Sequence, residues 1–175
     1  TMAQTNPKPG YIITNDGDYT LINNVLVAYS GGEIIVIIPD GVTEIADNVF
    51  REHMEIEEIV IPNSVVVIGN DSIPSDAIIW LNSDSAVLEW AFDNFQPVRL
   101  MDVSDEFQMA FPGILTYYHG DAESVTVTEE AGIIGRYAFA GNTTVSHVVL
   151  MDNVSMIKDH AFYGCTNLED ITIPA

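Results

Sequence analysis

A single cysteine, Cys165, excludes any disulfide within these 175 residues. Basic residues are almost as scarce. Lys8, Arg51, Arg99, Arg136 and Lys158 stand against 26 acidic residues, giving a formal net charge of −21. Five scattered cations make no basic patch, which excludes the usual electrostatic binding of nucleic acid or anionic membrane. The longest apolar run, Ile34–Ile38, falls far short of the roughly 20 residues that span a bilayer. The chain opens Thr1-Met2-Ala3 without an apolar leader. This points to a processed or excised product whose targeting segment and anchor lie outside it. Metal-ligand spacing is missing too. Asn15-Asp16-Gly17-Asp18 lacks the alternation and the distant Glu of a calcium loop. His53, His119, His147 and His160 show no zinc spacing. No metal and no cofactor is expected.

What the chain has is a repeat. Shifted by 23 residues, Ala131–Pro174 falls on itself. Ile134 meets Ile157, Ala138-Phe139 meets Ala161-Phe162, Val145 meets Leu168, Val148 meets Ile171, and Leu150 meets Ile173. Each unit carries a short alternating strand, an apolar pair at spacing three (Val154 and Ile157), an Ala-Phe pair and a Gly-rich turn. The strand in Leu168-x-x-Ile171-x-Ile173-Pro174 ends at a proline, which has no N–H for a ladder. One such unit cannot bury its own apolar face, whereas stacked units cover one another. Parallel strands then line one side of a coil.

His160–Pro174, reading H-A-F-Y-G-C-T-N-L-E-D-I-T-I-P, resembles the BspA-type leucine-rich repeat. The resemblance covers most of residues 20–81 and 107–174. It implies a mainly β repeat solenoid, with parallel strands and short helical turns. It also implies a non-enzymatic adhesion or interaction domain of a bacterial surface or secreted protein. Its partner would be a protein or glycan on a host or microbial surface. The other reading is a spacer that presents a further domain of a longer protein.

Taken in order, residues 1–10 read as a disordered lead-in and 11–103 as a first module. Asn23-Asn24 between two apolar runs predicts a β-hairpin. Strands follow at Ile34–Pro39, at Ile59–Pro62 and, about three residues early, at Ile78–Leu81. A helix is expected over about 85–95, with Leu88, Phe92 and Phe95 at helical spacing, closing the end of the stack. It stops by Gln96, because Pro97 disfavours helix in the residue before it. Val98–Val103 is then expected to be extended and to lead out. A second module, 104–175, restarts with a hairpin turning at Pro112-Gly113. An offset of 89 aligns it with the first without a gap. It lacks a closing helix, which suggests truncation.

Ser155-x-x-Lys158 matches an acyl-enzyme pattern, yet other units hold Gly132 and Gly135, or Val66 and Gly69, in those columns. Cys165 shares its column with Asn142 and His53, a turn position suited to a small or hydrogen-bonding side chain. Asn142-Thr143-Thr144 and Asn153-Val154-Ser155 are glycosylation sequons by chance of pattern. None of these carries catalysis. The outward strand face carries more. Under the resemblance it is the concave binding surface. In the first module it presents Ile35, Ile37, Glu58, Val60 and Trp80. In the second it presents Ser124, Thr126, His147, Val149, Asp170 and Thr172. The apolar first row is either an exposed partner site or is covered by the hairpin, the helix or the other module.

Overall fold

The computed structural model describes residues 17–110 and 113–173. The expected lead-in over 1–10, Asn15-Asp16, Pro112 and Pro174 lie outside the described residues. The chain folds as two compact units, one ending at Asp102 and one beginning at Val103.

The first unit opens with β1 (Tyr19–Ile22) and β2 (Val25–Tyr29), an antiparallel hairpin. Asn23 and Asn24 turn it with φ of 51° and 65°. Positive φ at both central residues matches the right-handed strand twist, and Asn tolerates it. Then come β3 (Ile35–Ile37), β4 (Glu44–Ile45), β5 (Glu58–Val60), β6 (Val67–Ile68) and β7 (Ile78–Leu81). Helix α1 (Leu88–Asp93) and β8 (Val98–Leu100) complete the unit. Two sheets run along the coil, in orders β1-β2-β4-β6 and β3-β5-β7-β8. Each apolar pair at spacing three ends on a two-residue strand, and these strands build the first of the two sheets.

The second unit repeats the plan. Strands β9 (Phe107–Ala110) and β10 (Ile114–Tyr118) form its hairpin, with Gly113 at φ 77°. They are followed by β11 (Ser124–Thr126), β12 (Ile133–Ile134), β13 (His147–Val149), β14 (Met156–Ile157) and β15 (Asp170–Thr172). The sheets are β14-β12-β10-β9 and β11-β13-β15. Five strands start at a constant separation of 89: Val25 and Ile114, Ile35 and Ser124, Glu44 and Ile133, Glu58 and His147, Val67 and Met156. Even the irregularity recurs. The register of the first hairpin shifts at Val27, and that of the second at Thr116.

The core is a set of columns. Val36, Ile59 and Ile79 lie inside the first stack, and Val125 and Val148 inside the second, all buried. An aromatic column runs beside them. Tyr19, Tyr29 and Phe50 follow at centroid spacings of 5.3 and 5.2 Å. Phe107, Tyr118, Phe139 and Phe162 follow at 5.1, 5.0 and 4.9 Å. Tyr118 also donates its hydroxyl to Glu106 Oε1 at 3.1 Å. Burial, with that carboxylate, pushes its pKa up to about 12.

Turn positions are as regular. The residue before each Ala-Phe position is left-handed: Asn48 (φ 63°), Asp71 (50°), Tyr137 (57°) and His160 (57°). Gly69 and Gly135 stand in a column that Ala46 and Lys158 fill in other turns, but sit tighter against the preceding turn, each donating its N–H to it, at Ile45 O (2.7 Å) and Leu115 O (2.8 Å). A Cβ on Gly135 would stand 2.5 Å from Leu115 O. Gly135→Ala should therefore lower stability by about 1–3 kcal/mol through overpacking. Gly32→Ala, where nothing lies within 4 Å, should leave it nearly unchanged. Urea midpoints of the two variants check this.

The end of the first stack differs from the expectation. The third strand does come early: Ile35 pairs with Glu58, 23 residues on, but Glu58 pairs with Ile78, 20 residues on. The helix forms but is not the cover. It is a crossover into β8, which pairs in parallel with β7 (Ile79 with Val98, Leu81 with Leu100). Val98–Leu100 is thus a fourth rung rather than a lead-out. The helix ends when Gln96 N–H donates to Ala91 O (2.9 Å) and Phe95 N–H to Phe92 O (3.1 Å) around a left-handed Phe95. This is a Schellman ending, followed at once by the proline. The side-chain amide of the buried Gln96 donates to Pro74 O and Ala77 O, both at 3.1 Å.

Candidate interaction surfaces

The two strand faces have opposite characters. In the first unit Ile37, Val60, Trp80 and Arg99 stand side by side across β3, β5, β7 and β8. Ile37 is buried, Val60 is fully so, and Arg99 is only 4% exposed. Ile35, Glu58 and Trp80 are half-buried. Trp80 Nε1–H donates to Glu58 Oε2 at 2.6 Å, tying adjacent strands together. Tyr19 donates its hydroxyl to Ile37 O at 2.8 Å, and burial raises the pKa of this phenol. Ile37 and Val60 are therefore not an exposed apolar row. Each is flanked by a longer side chain, and covering an apolar residue is favourable.

The second unit leaves the same face open. Ser124, His147 and Asp170 form one ladder across β11, β13 and β15, and Thr126, Val149 and Thr172 form the next. All are exposed except Val149, which is half-buried. The hydroxyl side chains Ser124, Thr126 and Thr172 are too short to cover neighbours a strand spacing of about 4.8 Å away. His147 Nδ1 contacts Asp170 Oδ1. Beside this ladder lies an open groove of about 510 Å³, lined by Glu123, Ser124, Thr144, Ser146, His147 and Glu169 among others. Its charged rim is carboxylate, with no lysine or arginine lining it.

On the turn side of the second unit a third feature was not evident from the repeat pattern. Tyr137 stacks on His160 (5.2 Å between centroids, 11° between planes). Tyr163 stands 5.8 Å from both and is 63% exposed. The Arg136 guanidinium lies 5.5 Å from the Tyr137 centroid, and its Nε–H donates to Asp159 Oδ2 at 2.8 Å. That bond holds the Asp159 carboxyl below its usual range. His160 Nδ1 reaches the same oxygen at 3.2 Å.

The residues that matched nucleophile patterns serve the coil. Ser155 Oγ donates to Gly132 O at 3.2 Å, bridging neighbouring turns. The Cys165 thiol donates to Phe139 O at 3.0 Å, and burial raises its pKa, so the reactive thiolate is disfavoured. In the same column Asn142 donates to Gly120 O (2.9 Å) and His53 Nε2 meets Tyr29 O (3.1 Å). Both sequon asparagines bond backbone carbonyls; Asn153 reaches Glu129 O and Ala131 O. Among the described residues no group of three or more His, Cys, Asp or Glu could hold a metal ion. No helix among them is long and apolar enough to cross a membrane.

A family model described as the BspA type leucine rich repeat region matches residues 21–110 and 113–175, in six copies. Three solved structures are similar in part. A leucine rich cell surface protein of Faecalibacterium prausnitzii A2-165 is 14% identical over 94% of this chain and 77% of its own, with a TM-score of 0.36. The pneumococcal vaccine antigen PcpA is 16% identical over 80% of this chain and 39% of its own, with a TM-score of 0.45. A leucine rich repeat protein of T. pallidum is 19% identical over 92% of this chain and 71% of its own, with a TM-score of 0.30. No curated protein matches the sequence.

Proposed function

Because the chain belongs to the BspA-type leucine-rich repeat family, we propose that it is a non-enzymatic interaction domain of a cell-surface or secreted protein, engaging a positively charged partner segment through the strand face of its second unit. The observation that carries this reading is the open ladder Ser124–His147–Asp170 beside a carboxylate-rimmed groove. The first unit's equivalent face is buried at Ile37, Val60 and Arg99, so it supplies support rather than contact. The constant 89-residue separation supports reading the units as tandem copies of one module, with the binding role confined to the second.

Charge selects the partner. At −21 overall the chain repels acidic proteins and attracts basic ones, and the attraction raises the encounter rate. Strand-face carboxylates then accept hydrogen bonds, and hydroxyls accept or donate them, at fixed spacing. An adhesive role toward a host or microbial surface is the form this interaction would take outside the cell.

The test uses the immobilised chain, a short Lys/Arg-rich peptide and an acidic peptide of equal length. Saturable binding of the basic peptide alone is expected, weakening as salt rises. Asp170→Asn should weaken it about tenfold, the usual worth of a charge-assisted hydrogen bond. If neither peptide binds at micromolar concentration, or if Asp170→Asn binds like the parent, the interaction reading fails and the spacer reading replaces it.

A further inference from the structure

The turn column that precedes each Ala-Phe position requires a left-handed backbone. In the first unit it holds Asn48 and Asp71, residue types that accept this conformation. In the second it holds Tyr137 and His160 at φ 57°. A bulky tyrosine is a true outlier there, and such outliers persist where the surrounding structure holds them and cluster at functional sites. What holds it is visible in the packing. Tyr137 and His160 lie flat on each other, Tyr163 stands beside them with most of its ring in solvent, and Arg136, His160 and Asp159 form a hydrogen-bonding rim.

We propose that this cluster is a binding platform for a neutral sugar ring, separate from the strand face. A pyranose has one face of C–H bonds, which lies on an aromatic ring, and an equatorial rim of hydroxyls, which needs directional donors and acceptors. Tyr163 supplies the exposed ring. The Asp159 carboxylate accepts from hydroxyls, and the phenol and imidazole beside it donate or accept. Charged guests fit less well. A cationic side chain would meet the Arg136 guanidinium, which already lies near the Tyr137 ring. An anionic guest would meet Asp159 and a chain of net charge −21. The equivalent columns of the first unit hold no such ring: Arg51 and Pro74 stand 89 residues before Ala140 and Tyr163.

The test is saturation-transfer NMR with the methyl β-glycosides of glucose, galactose and N-acetylglucosamine, each at millimolar concentration. The parent should transfer saturation to the ring protons of at least one glycoside, strongest on the C–H face. Tyr163→Ala should reduce its affinity about tenfold, the loss expected for one stacking ring. Tyr137→Asn supplies the control for folding. It restores the residue type that the left-handed position favours, so it should melt no lower than the parent while losing the signal. Three results overturn the proposal: no transfer to any of the three glycosides, transfer undiminished in both variants, or a Lys/Arg-rich peptide shifting the Tyr163 and His160 resonances while no sugar does.

Discussion

Phe139→Ala should unfold the second unit at a much lower temperature than the parent. Phe139 is fully buried, with its ring between Tyr118 at 5.0 Å and Phe162 at 4.9 Å. It is an inner member of the four-ring aromatic column that joins the hairpin to the later turns. Removing a buried phenyl ring costs about 3–5 kcal/mol through lost burial and the cavity left behind. A unit of roughly 70 residues has only about 4–10 kcal/mol of net stability. The loss therefore takes much of the total. Each turn is stabilised mainly by its neighbours, so the damage spreads along the stack. Thermal unfolding followed by near-ultraviolet circular dichroism should show the fall. A shift equivalent to under about 1 kcal/mol would mean the column is not the spine of this unit.

Val60→Asp should be almost as damaging, for a different reason. Val60 lies on the outward face of its strand yet is fully buried between Ile37 and Trp80. A carboxylate there loses its hydration without an arranged partner. Such a buried, unpaired charge costs about 3–5 kcal/mol. Thr126→Asp, on the open face of the second unit, should change stability by no more than about 0.5 kcal/mol. Urea unfolding of both variants separates the two faces. If Val60→Asp is as harmless as Thr126→Asp, the first face is open and regains its claim as a partner surface.

The contrast shows what the sequence could convey. Period and alternation placed Val36, Ile59 and Ile79 inside and Ile37, Val60 and Trp80 on the opposite side. Both follow from the two-residue repeat of a strand. Alternation says which way a side chain points, not whether neighbours close over it. That depends on the lengths of side chains adjacent across strands, here Glu58 reaching Trp80 and a buried Arg99 beside them. The hairpin was legible because the Asn23-Asn24 turn is local. The strands at Glu44–Ile45, Val67–Ile68, Ile133–Ile134 and Met156–Ile157 were not, since two residues cannot display an alternation. They are strands only because a neighbouring turn presents matching carbonyls, as when Ala46 N–H donates to Leu26 O at 2.9 Å.

The extended course of Val98–Leu100 is legible, but its place as a further rung is not, for a similar reason. It has no partner in the repeat pattern, and only pairing with Ile79–Leu81 makes it a rung. The aromatic platform left a fainter trace. The 23-residue shift brings Tyr137 and His160 into one column, and Asn48 and Asp71 in the first module mark that column as a left-handed turn. Stacking follows once two flat side chains leave consecutive turns in the same direction. What the open face would bind leaves no trace beyond charge, because short hydroxyl and carboxylate side chains suit many ligands.

The measurement that bears most directly on the central claim is an amide NMR titration of the isotope-labelled chain with the Lys/Arg-rich peptide. The account expects shifts concentrated at Ser124, Thr126, His147 and Asp170, with Ile37, Val60 and Trp80 unmoved. Shifts gathered on Ile37, Val60 and Trp80, or no shifts on either face, would contradict it.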